Sequence, residues 1–187
     1  MAQDPLYDVW GRRNPQFETR FEEILLRKFT EYGGGSVESM SSKGKIFGAG
    51  YELYIYAFYL GLYSNFRKTL KGDCKVLGQP IQFWGNVDSK KFRKGYSRLR
   101  DYMFVHLIAK SDDIDLIALE KGEITERKAV DFLIQTMEEY ANGGFYLIEE
   151  KLLDDPNYFY KNIGFLEFML KIVSPQTQPQ DDALEEL

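Results

Sequence analysis

The residues of this chain that could do chemistry are mostly bases gathered in one stretch. Between Arg67 and Arg100 stand Arg67, Lys68, Lys71, Lys75, Lys90, Lys91, Arg93, Lys94, Arg98 and Arg100, opposed only by Asp73 and Asp88. That stretch carries a net +8 in a chain of total −5, so the remainder carries −13. Phe92 and Tyr96 are interleaved with the bases. Cations that neutralise phosphates, beside rings on which bases stack, are the footprint of a nucleic-acid surface. The residues placed to bind nucleic acid or another anion are Lys45, Arg67, Lys68, Lys90, Lys91, Arg93, Lys94 and Arg98. The plainer reading is a solvated helix face paired with acidic neighbours, and the negative total charge favours it.

Lys45 belongs to a second feature, the segment Gly44-Lys45-Ile46-Phe47-Gly48-Ala49-Gly50. Backbone N–H groups at a helix start can cradle an anion. A phosphate-binding loop needs Ser or Thr after Gly-Lys and a strand before it. Ile46 follows Lys45 and no strand precedes, so the segment reads as a tight turn feeding a helix.

Groups suited to acid–base, nucleophilic or metal chemistry are thin. His106 is the one histidine and falls on or beside an apolar helix stripe, where a hydrogen-bonded core role is the ordinary one. Cys74 is the one cysteine, so no intrachain disulfide forms. Neighbouring Lys71 and Lys75 would favour its thiolate, but no base accompanies it. Carboxylates occur as Asp112-Asp113 with Asp115, and as Glu138-Glu139, Glu149-Glu150 and Asp154-Asp155. Paired carboxylates on a rigid frame hold a divalent ion or act as acid and base. Adjacent helical residues do not face one another, however, and helix caps and solvated faces explain these pairs more simply. No catalytic, cofactor-binding or metal-binding residue is assigned.

The elements that must position these groups are organised around Tyr51–Tyr63, an apolar run with Glu52 as its one charge. The expectation is an all-α, single-domain bundle of about six helices around this buried helix, with long loops and at most a minor strand near Ile81–Trp84. Residues 1–14 read as an irregular arm, 15–173 as the helical domain and 174–187 as a disordered acidic tail. Within the domain, Pro15 to Tyr32 forms a helix capped by Asn14. Gly33 to Gly50 is a long loop, and the central helix spans about Glu52 to Phe66. A further helix runs from about Lys90 to Lys110. A short one, capped by Ser111 or Asp112, reaches Lys121 with Ile114, Ile117 and Ala118 inward. Thr125 caps the next helix, which Asn142-Gly143-Gly144 ends or bends before a further piece from Phe145 to Leu153. The last helix starts at Asp155-Pro156 and stops at Ser174-Pro175.

Thirteen tyrosines and fourteen phenylalanines give a core whose hydroxyls must reach water or a partner. With an apolar arm, a long loop and no catalytic set, the expectation is a non-enzymatic cytoplasmic interaction or adaptor protein, working with a protein partner or as a homo-oligomer. It has no cofactor and no membrane span. A nucleic-acid accessory protein acting through 67–100 ranks second, and a carboxylate-metal enzyme third.

Overall fold

The computed structural model describes residues 5–31, 45–86, 96, 98–111 and 114–174. It is mostly helical, as the apolar spacing and the capping residues led us to expect, with seven α-helices and one two-stranded sheet among the described residues. The helices are α1 (Leu6–Gly11), α2 (Arg27–Phe29), α3 (Gly50–Tyr63), α4 (Arg98–Lys110), α5 (Leu116–Glu120), α6 (Glu126–Asp154) and α7 (Gly164–Val173). The strands are β1 (Gln16–Glu18) and β2 (Cys74–Val76).

The apolar run is the central helix. In α3, Leu53, Tyr54, Ala57, Phe58 and Leu60 have no exposed surface. A helix apolar around most of its circumference must be covered on most sides, and the 29-residue α6 supplies the main cover. The two backbones touch through glycines. A Cβ on Gly61 would run into the Tyr140 carbonyl, one on Gly144 into the Ala57 carbonyl, and one on Gly143 into the Phe66 carbonyl. These glycines therefore do not end α6, which runs on through them to Asp154. They let it pass unbroken against α3. Thr125 caps α6 as expected, accepting from the Lys128 N–H at 3.3 Å.

Other expectations fail for local reasons. Asn14 does not cap a helix, because its Nδ2 donates to the Leu77 carbonyl at 2.9 Å and draws the next residues into a sheet. β1 then pairs antiparallel with β2 in the register Gln16↔Val76, Phe17↔Lys75, Glu18↔Cys74. Helical winding starts only at a π-helical segment, Glu22–Leu26, which runs into α2. The arm is not wholly irregular: α1 buries Trp10 against Tyr7 and Phe104. Ile81–Phe83 is a 3₁₀ turn rather than a strand. Following Pro80, it puts Ile81 and Trp84 on one inward face, and Trp84 stacks on Tyr51 with centroids 5.8 Å apart.

The short α5 is capped by Asp115, whose Oδ1 accepts from the Ile117 and Ala118 N–H groups. Ser111 instead donates to Thr136 Oγ1. The later start buries Ala118 and leaves Ile117 exposed. Asp155 closes α6 and accepts from the Asn157 N–H in a turn, and a 3₁₀ turn (Tyr158–Tyr160) intervenes before α7 begins at Gly164. The loop residues 32–44, the expected helix start at 87–95 and the tail residues 175–187 lie outside the described residues.

Candidate functional site

α6 does not cover all of α3. Tyr56, Tyr59 and Tyr63 recur at the i, i+3, i+7 spacing of one helical face. α4 brings Leu99, Tyr102 and His106 to the same place at the same spacing, and α7 adds Met169. The seven side chains line an open, largely apolar groove of about 480 Å³. Its floor is ordered by ring contacts. Tyr59 stacks on Tyr63 at 6.0 Å with planes 22° apart, and meets His106 edge-on at 5.7 Å. Tyr56 is fixed by donating its hydroxyl to the Phe165 carbonyl at 2.7 Å. The rims stay open: Tyr63 is 50% and Tyr102 59% exposed.

Burial raises the Tyr56 and Tyr59 hydroxyl pKa values well above the ordinary tyrosine value, with lesser contributions from Tyr158 and Tyr63 respectively. Both hydroxyls are therefore neutral at physiological pH. The Tyr59 hydroxyl oxygen and His106 Nδ1 are buried atoms without a hydrogen-bond partner among the described residues. On the other flank of α7 a second cleft, about 510 Å³, is lined by Ser64, Leu147, Glu150, Lys151, Asp154, Phe168 and Ile172.

Scans against protein-family models, curated proteins and solved structures give no match for this chain. The site is therefore argued from its own residues.

Of the residues singled out for anion binding, the described ones lie on separate parts of the fold. Lys45 and the Arg67–Lys68 pair lie beyond opposite ends of α3, a 14-residue helix and so about 20 Å long. Lys45 Nζ donates to the Arg27 carbonyl. Arg67 pairs with Glu139 at 2.7 Å and lies over the Tyr140 ring. Lys68 Nζ sits 3.1 Å from the centroid of Tyr146. Lys75 pairs with Glu22, and Arg98 opens α4 at the surface. Lys90, Lys91, Arg93 and Lys94 lie outside the described residues.

Asp112 and Asp113 lie outside the described residues, and several of the other paired acids are engaged within the fold. Glu138 accepts from the Gln16 N–H, Glu149 pairs with Arg20, Asp154 with Lys151 and Asp155 with Lys161. Among the described residues no three His, Cys, Asp or Glu side chains gather around a point suited to a metal ion. Cys74 is exposed on β2, and burial of the thiol, then Glu18, raises its pKa, opposite to the direction its lysine neighbours suggested.

The sequence does not disclose the groove, because the apolar run Tyr51–Tyr63 calls for cover on nearly every side. Two signals were present. Tyrosine recurs at helical spacing along α3, and His106 follows Leu99 and Tyr102 at the same spacing on α4.

Proposed function

We propose that this chain is a non-enzymatic, cytoplasmic recognition module that holds an apolar segment of a protein partner in the groove between α3, α4 and α7. The observation that carries this reading is the row Tyr56, Tyr59, Tyr63, left open on an otherwise buried helix. Tyrosine gives large, rigid contact area with a polar tip, which is why it is enriched where protein surfaces meet. A groove floored by one helix and walled by two suits an amphipathic segment with apolar residues at helical spacing. α3 itself is locked against α6, so the floor is presented in one geometry without an ordering cost on binding.

Tyr63→Glu with Tyr102→Glu puts two charges on the open rims while leaving the buried core of α3 untouched. We expect the wild-type chain either to self-associate in light scattering or to hold one stoichiometric partner in affinity capture. The double variant should lose that association at least tenfold, and Lys121→Glu, on the exposed turn after α5, should retain it. A wild-type chain that stays monomeric and partnerless overturns the reading, and so does an association indifferent to the two tyrosines.

A further inference from the structure

A different surface points to an occupant within this chain. α7 reads Gly-Phe-Leu-Glu-Phe-Met-Leu-Lys-Ile-Val, yet only Gly164 and Phe165 are buried. Leu166, Leu170 and Val173 form an outward stripe at i, i+4, i+7. The stripe continues past the start of α7. Ile46, Tyr160, Ile163 and Leu166 line one open cavity of about 490 Å³ together with Lys45 and Lys161. These six apolar residues are each 45–56% exposed and form one patch. A patch of this kind, rimmed by polar groups, marks a docking surface.

The rim is basic, and much of its charge is uncompensated. Lys161 pairs with Asp155. Lys45, however, is held by the Arg27 carbonyl, Lys28 lies over the Phe29 and Tyr160 rings, and Lys171 reaches the Tyr158 hydroxyl. None of these three forms an ion pair with a carboxylate among the described residues. Two copies meeting face to face would bring these lysines together, which disfavours a symmetric dimer here. The occupant has to bring both apolar side chains and carboxylates.

We infer that residues 175–187 of the same chain dock on this patch. They read Pro-Gln-Thr-Gln-Pro-Gln-Asp-Asp-Ala-Leu-Glu-Glu-Leu, with four carboxylates, two leucines and no base. They follow directly on Ser174, at the end of α7. α7 has ten residues, so the stripe is about 15 Å long. Thirteen residues reach up to about 43 Å when extended, so Asp181 to Glu186 can return along the stripe to Lys28 and Lys45. Leu184 and Leu187 match the apolar stripe, and the carboxylates match its rim. Glu167, half-buried on α7, is the one acid of that helix. A tether this short gives a millimolar effective concentration, so contacts too weak to hold a free peptide suffice here. Docking would also set a negative segment beside the groove, whose wall includes Met169 of α7.

Zero-length carbodiimide cross-linking of the full chain tests this directly. Lys161 and Asp155, 2.9 Å apart, are the internal control. At low salt we expect Lys28, Lys45 or Lys171 to be joined to Asp181, Asp182, Glu185 or Glu186. In a mixture of ¹⁵N-labelled and unlabelled protein, these links should lie within single chains. Leu170→Asp and Ile163→Asp, both at exposed positions, should each cut their yield at least tenfold and spare the control. The proposal is overturned if the control forms without the other links. It is overturned equally by links spread evenly to Lys71, Lys110 and Lys121, by links only between differently labelled chains, or by yields that ignore both variants.

Discussion

Glu138 shows how one side chain can work against the fold it belongs to. Its Oε1 accepts the Gln16 N–H at 2.7 Å and so ties β1 to α6. Burial dominates its environment and raises the carboxyl pKa, while the Gln16 bond and Arg13 pull it back only in part. A carboxylate whose folded pKa lies above its unfolded one favours folding below the unfolded value, about 4.3 for glutamate. That contribution is lost as pH rises through the folded pKa. Glu138→Gln keeps the acceptor and removes the charge. We expect it to raise the urea midpoint at pH 7, and the gain to vanish below about pH 4. Glu22 behaves in the opposite sense. Its hydrogen bonds to Lys75 and then Arg27 lower its pKa, so its contribution is complete above the ordinary glutamate range and is lost in acid. An unchanged or lower midpoint for Glu138→Gln at pH 7 would show that the Gln16 bond, not burial, governs this site.

At the scale of the element, the crossing of α3 and α6 is set by residues with no side chain. Gly144 meets backbone, the Ala57 carbonyl, which cannot rotate away as a side-chain tip could. Gly144→Ala would raise helix propensity by about 1 kcal/mol in isolation. Forcing the helices apart costs more, about 3 kcal/mol or greater at a site that cannot relax. Urea denaturation should therefore show a net loss of at least about 2 kcal/mol, and a neutral result would mean the helices are not in backbone contact. This is also where the sequence was least legible. The apolar run named the central helix correctly, and Thr125 named the start of α6. Asn142-Gly143-Gly144 has the composition of a break and is a contact surface, because only the partner helix gives those glycines their purpose. Asn142 itself donates to Glu18 and to the Lys68 and Thr69 carbonyls, which pins the segment after α3 across α6. Residues 16–18 stand within a stretch of helical spacing, and their partner strand lies some sixty positions away, where no local spacing reports it. The groove was half legible: its tyrosines stand at helical spacing, but which face α6 leaves open depends on the packing.

For the molecule as a whole, the decisive property is that a single hydrophobic cluster reaches from α1 to α7. It includes Trp10 at one place, beside Tyr7 and Phe104, and Trp84 at another, against Tyr51 and Tyr54. Both indoles are fully buried. Two bases of the 67–100 stretch are tied to the same body, Arg67 on Glu139 and Lys75 on Glu22. If the arm residues of α1 belong to this one core, they cannot leave it without exposing Trp10. Trp10→Phe and Trp84→Phe each leave one indole as a reporter of a different region. The fluorescence transition of each variant in urea should coincide with its own circular dichroism transition, as all-or-none unfolding requires. Trp10 reporting ahead of the helical signal in Trp84→Phe would instead make α1 a separately detachable arm, with the core proper beginning at β1.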